Sequence, residues 1–278
     1  MSDRNRFGEE ELVDALDSIG SKLAKKARVN MIGGCSMTFR GTKAATKDID
    51  IVVKSTDEVK TLVKAMKAVG FENVKDIGSD YRSLGAWMVM ERPDGMRFDI
   101  FDRIVCNALE ISDTMESRAE FYKEFGNLKV YLMSPEDILL FKGITERLDD
   151  LEDMRILAEG GIDWKTVESE CFSQKQAGRW ADALASKLLE LKSEYGIDSP
   201  IIKTMAEHGN VYVLEVAFSK VIGEKEMTTD EIIEEVKKKY NYSASWTRKQ
   251  LKVLEERNFV TRKIIGKPHL YSINKKGN

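Results

Sequence analysis

Apolar residues recur along this chain at two periods, and the switches between them predict an order of elements. Leu12, Val13, Leu16, Ile19, Leu23 and Ala27 fall at helical spacing, which predicts an amphipathic helix over residues 7–28 with one buried face. A strand follows at about 29–32, then a Gly-Gly turn, a polar stretch and a buried strand at 49–53. Ser55 and Glu58 form a capping box ahead of Val59, Leu62, Val63, Met66 and Val69, and Gly70 is placed to end that helix. Residues 87–90 and 96–101 flank Arg92, Pro93, Asp94 and Gly95, a turn sequence that predicts a hairpin.

Beyond a short apolar run at 129–132, Ser134 supplies an N-cap, Pro135 the first helical position, and Glu136 and Asp137 first-turn acids. A helical module is predicted from there to about Tyr195, with 196–200 as the linker. Thr228 and Glu231 form a second capping box before Ile232, Ile233, Val236 and Tyr240, and another helix starts near Ser243. Residues 259–265 and 269–273 read as a hairpin about Gly266, Lys267 and Pro268. The pattern therefore predicts an α+β fold in three parts: a small mixed-sheet core at 1–132, a helical middle module at 133–196 and a C-terminal unit at 200–278.

Composition narrows the class. With 42% hydrophobic and 33% charged residues and four prolines, the chain can bury real cores and is not a disordered one. The first ten residues are polar and charged, and no stretch of about 18 apolar residues occurs, so a cytoplasmic protein with no membrane partner is expected. Cys35, Cys106 and Cys171 are odd in number and widely spaced, which fits reduced thiols, and two histidines, His208 and His269, make a zinc site unexpected. Charge is uneven: residues 220–278 hold 14 Lys and Arg against 8 Asp and Glu, while the rest is acidic.

The candidate chemistry lies in two short segments. In Asp48-Ile49-Asp50-Ile51, the aspartates are two apart on a strand, so both project to one face while the isoleucines enter the core. Two carboxylates so close repel unless a cation lies between them, and Mg2+, a hard ion that takes carboxylate and phosphate oxygens, is the natural occupant. Gly33 and Gly34 let the backbone turn and approach a ligand, and Ser36 adds a hydroxyl, so this turn is a candidate cradle for nucleotide phosphates. Asp99, on a neighbouring strand, is the third carboxylate. Together the three could hold two metal ions that activate an attacking hydroxyl and stabilise departing pyrophosphate.

These residues resemble the polymerase-beta-like nucleotidyltransferase superfamily, whose signature is a Gly-Gly/Ser turn, an Asp-x-Asp strand and a later strand Asp. Gly33, Gly34 and Ser36, then Asp48 and Asp50, then Asp99 match it, over about half the chain. Cys35 stands where that turn often has a small residue. Asp102 is a rival third carboxylate, but it falls near the strand end and on the other face. Lys142, Arg147, Asp150 and Asp153 are similar to the Lys, Arg, Asp-x-x-Asp helix pair of the toxin-type and uncharacterised branches, where the Lys is expected to meet the triphosphate of an NTP substrate and an Asp positions it. An Arg commonly precedes the Thr of the Thr-x-Asp-x-Asp strand by two residues in those branches; here that position is Ala44, with Lys43 beside it.

The C-terminal pattern resembles a winged helix-turn-helix. On its second helix Ser245, Arg248, Lys249 and Lys252 share one polar, basic face, and Lys267 lies on the hairpin turn, as a nucleic-acid-binding surface requires. Winged helices also mediate protein contacts. Two functions are therefore expected as rivals: a magnesium-dependent enzyme moving a nucleoside monophosphate onto RNA, protein or a small molecule, and a non-catalytic DNA-binding regulator that senses a nucleotide.

Overall fold

Strand alternation organises the first part of the protein, and helical stripes cover it. A computed structural model describes residues 5–74, 86–105, 109–145, 147, 149–264 and 269–274. Two compact units, Met1–Met205 and Ala206–Asn278, make up the chain.

In the first unit the order is α1 (Glu9–Lys22), β1 (Ala27–Ile32), α2 (Gly33–Phe39), β2 (Asp48–Val53), α3 (Thr56–Ala68), β3 (Glu72–Asn73), β4 (Met88–Glu91) and β5 (Arg97–Asp102). Then come β6 (Ile104–Val105), β7 (Leu109–Glu110), α4 (Asp113–Arg118), β8 (Glu120–Phe125) and β9 (Leu128–Leu132). The helices α5 (Pro135–Gly143), α6 (Asp149–Glu159), α7 (Trp164–Ser173) and α8 (Ala177–Tyr195) follow.

Seven strands form one mixed sheet in the order β3-β4-β5-β2-β1-β9-β8. Strand β2 runs parallel to β5 and antiparallel to β1, while β1 runs parallel to β9. Ile49, Ile51 and Val53 of β2 and Phe98 and Ile100 of β5 share a buried core with Leu12, Leu16 and Ile19 of α1 and Val59, Leu62 and Met66 of α3. Alternation then sends Asp48, Asp50, Arg97 and Asp99 to the opposite face. The capping signals act as expected: Ser55 and Ser134 accept from the amides of Glu58 and Asp137, and Gly95, with φ +87°, closes the β4-β5 turn.

Two expectations change. Helix α1 stops at Lys22 instead of reaching residue 28, and Ala27 opens β1. The carbonyl of Gly20 accepts from the amides of both Leu23 and Asn127, so the last turn tightens and Leu23 leaves the helix in extended conformation while still burying its side chain. The helix surface at Gly20 presses on the β8-β9 turn, where a Cβ would lie 1.9 Å from the Phe125 carbonyl oxygen. The second change is at Gly33 and Gly34, which begin α2 where a turn was expected.

The second unit contains the end of α9 (Ile202–Ile222), then β10 (Met227–Thr228), α10 (Thr229–Tyr240), α11 (Ala244–Glu256), β11 (Val260–Lys263) and β12 (Leu270–Ile273). Its antiparallel sheet has the order β10-β12-β11. Phe218, Ile222, Ile232, Val236, Leu251, Leu254, Val260 and Tyr271 form the core. Thr228 and Glu231 make the reciprocal capping box, and Asn241, with φ +58°, ends α10. The predicted linker at 196–200 lies between α8 and α9, whereas the division between units falls inside α9. The turn at 265–268 lies outside the described residues. Among the described residues no helix is long and apolar enough to cross a membrane.

Candidate active site

The site forms where β1, β2 and β5 run side by side. Asp50 stands opposite Asp99 on β5 and opposite Ile32 on β1, and Asp48 stands opposite Arg97. Gly33 follows Ile32 directly, with φ +62°, and a Cβ on it would lie 2.5 Å from Asp50 Oδ2. Only glycine suits both the left-handed backbone and the approach of that carboxylate. Behind it the buried Cys35 thiol donates to the carbonyls of Ile32 (3.0 Å) and Asp50 (3.4 Å). Burial and the neighbouring Asp50 charge push that thiol's pKa up, so Cys35 is a packing residue with no reactive thiolate.

Charge is concentrated here. Asp48 and Asp99 are buried and Asp50 partly so. Burial, then the negative charges of Asp99 and Asp48, push the Asp50 pKa up to about 8, against the opposing pull of Arg147 and Lys142. The three predicted carboxylates are thus electrostatically one group, and Arg147 of the helical module belongs to their surroundings.

Arg97 was not anticipated as a site residue. Its guanidinium is buried, with Nε donating to Asp99 Oδ1 at 2.8 Å and lying 3.9 Å from Asp48 Oδ1. The signal was available in the alternation of β5, since Arg97 is two residues before Asp99 and must share its face. Asp102, the rival carboxylate, accepts a hydrogen bond from Thr56 Oγ1 (2.8 Å) at the start of α3. Ser36 lies on α2 with its hydroxyl buried and without a hydrogen-bond partner among the described residues.

By donor type the carboxylates fit a hard divalent cation, whose charge would offset the mutual repulsion of Asp48, Asp50 and Asp99. Among the described residues, however, no group of three or more His, Cys, Asp or Glu side chains is arranged to hold a metal ion. Asp99 gives its Oδ1 to Arg97 instead.

The helical module closes on the sheet through a second charged group. Lys142 is buried, with Nζ 2.7 Å from both Asp150 Oδ1 and Asp153 Oδ2. Burial alone would lower its pKa, but the two aspartates outweigh burial and raise it. Thr145 also donates to Asp150, and Lys43 reaches Asp153 from the sheet side. The predicted triphosphate lysine is therefore already committed to two carboxylates, and it reaches the site as charge rather than as an open ammonium.

In the second unit, Ser245, Arg248, Lys249 and Lys252 are exposed on α11 while Thr247, Leu251 and Leu254 of the same helix are buried. Arg248 lies 3.7 Å from Asp230 and Lys252 3.8 Å from Glu256. Tyr242 stacks on Trp246 at 3.9 Å beside this face. A cleft of about 380 Å³ brings Arg262 of β11 next to Arg248 and Lys252, over Leu251 and Tyr271. Lys267 lies outside the described residues.

The stretch that carries the carboxylates and the helical module, residues 10–194, matches the profile of a nucleotidyltransferase family. The chain belongs to that family, DUF6036, described as a nucleotidyltransferase of unknown function. No curated protein matches the sequence.

Proposed function

We propose that the protein transfers a nucleoside monophosphate from an NTP to an acceptor at Asp48, Asp50 and Asp99, with magnesium as cofactor. The observation that carries this reading is the register that sets Asp50 beside Asp99, two residues from Asp48, against a glycine that admits the Asp50 carboxylate. When bound, magnesium would polarise the phosphoryl oxygens and offset charge on the leaving pyrophosphate. Asp48 and Asp50 would hold it. Asp99, oriented by Arg97, takes the proton of the attacking hydroxyl as general base. Gly33 and Gly34 let the backbone approach the phosphates, and Lys142 supplies positive charge from within its aspartate pair.

Incubation with each labelled NTP, magnesium and total cellular RNA or protein tests the activity directly. In that assay Asp99→Asn is expected to lower turnover by about 10²- to 10⁴-fold, while Asp102→Asn leaves it within about twofold. A crippled Asp102→Asn with an active Asp99→Asn would reverse the assignment. One observation favours the second reading, a nucleotide sensor without turnover: no three acidic groups are arranged around a single ion among the described residues. Saturable NTP binding with no transfer to any acceptor would establish it.

The exposed basic face of α11, in a helix-helix-hairpin order, supports reading residues 200–278 as a winged helix that contacts nucleic acid through Ser245, Arg248, Lys249, Lys252 and Lys267. The pairs at Asp230 and Glu256 are exposed and cost little to exchange for phosphate. Replacing Arg248, Lys249 and Lys252 with Ala is expected to lower the log–log salt dependence of binding by roughly two to three. An unchanged slope would favour a protein partner.

A further inference from the structure

Lys43 lies in the loop between α2 and β2, and its Nζ donates to both oxygens of Asp153, at 2.8 and 2.9 Å. The same ammonium is 3.5 Å from the place a Cβ on Gly34 would take, while Asp50 Oδ2 is 2.5 Å from that of Gly33. A cation and the central carboxylate thus flank two successive glycines. No side chain at 33 or 34 stands between the Lys43 loop and the carboxylate centre.

Burial separates Lys43 from Lys142. The Lys43 side chain is 26% exposed, whereas that of Lys142 is 9% exposed and is held by two carboxylates. Asp153 is shared between the two lysines. If Lys43 leaves, Asp153 keeps Lys142 as its counter-ion and no buried carboxylate is stranded. If Lys142 leaves, its buried amine loses two partners at once, which is the costlier exchange. An ammonium on a flexible stem is also a suitable point charge for phosphate.

We propose that Lys43 is the residue that binds the polyphosphate of the nucleotide, releasing Asp153 and turning onto phosphate oxygens beside Gly34 as substrate enters. This rests on the nucleotidyltransferase reading above and deepens it by assigning the phosphate contact. The exchange also gives the helical module a means of registering an occupied site, because Asp153 of α6 loses one of its two cations.

Calorimetric titration of the full chain with inorganic triphosphate and magnesium tests the assignment. Lys43→Met is expected to weaken binding by about tenfold or more, and Lys43→Arg to restore most of it. In Asp153→Asn the ammonium loses its resident charge partner, and triphosphate binds more tightly than to the wild type. A purely structural lysine would instead lower the melting temperature of Lys43→Met and leave its triphosphate affinity unchanged, which overturns the proposal while the nucleotidyltransferase reading stands. Wild-type protein that binds neither triphosphate nor any NTP overturns both.

Discussion

Asp50→Ala is expected to reduce nucleotidyl transfer by about three orders of magnitude or more, because it removes the carboxylate at the centre of the cluster. The same change should make the metal-free protein more stable at neutral and alkaline pH. The folded pKa of Asp50, about 8, is above the ordinary carboxylate value of 3.8. Folding therefore favours its protonated form, and ionisation opposes folding increasingly as pH rises from 3.8 towards about 8. Thermal melts of the metal-free wild type should fall across that window relative to Asp50→Asn, and magnesium should narrow the difference. Parallel melting curves for the two proteins at every pH would show that Asp50 is not held among like charges.

Gly20→Ala is expected to destabilise the first unit by about 3 kcal/mol or more, since the added Cβ meets a backbone carbonyl that cannot step aside cheaply. Helix propensity alone would give the opposite sign, a gain of about 1 kcal/mol. For a unit of this size the loss corresponds to a fall in melting temperature of roughly 6–12 °C, measurable by calorimetry. A neutral or stabilised Gly20→Ala would mean that α1 and the β8-β9 turn are not in contact there.

The same glycine illustrates what the sequence could and could not convey. Local signals were legible: the Asp48-Ile49-Asp50-Ile51 alternation placed both aspartates on one face, and capping at Ser55, Ser134 and Thr228 placed three helix starts. Where a periodic pattern ran across an element boundary it misled. Leu23 and Ala27 continue the helical period but are buried outside the helix, because a carbonyl shared with Asn127 ends α1 early. Strand β8 gave no alternating signal, since Phe121 and Lys123 are exposed alongside Glu120 and Glu124. Within the site, the strand period alone puts Arg97 on the face of Asp99, two residues further along β5. The Lys43–Asp153 pair was not readable, because 110 residues separate its members and only the packed helical module joins them.

The parallel pairing of β1 with β9, with Ala27 opposite Leu128, also orders events in time. Strands β2 and β5, which bring Asp50 and Asp99 together, are both synthesised before β9 exists. At translation rates of about 5–20 residues per second, β1 waits roughly 5–20 s for its second neighbour. A nascent chain whose first 105 residues have emerged from the ribosome can therefore pair β2 with β5, yet still presents the apolar edge of Val29 and Met31 with its backbone groups unmatched. That interval is when strand-to-strand association with another nascent chain is most accessible. A pause in translation between β5 and β9 would lengthen it.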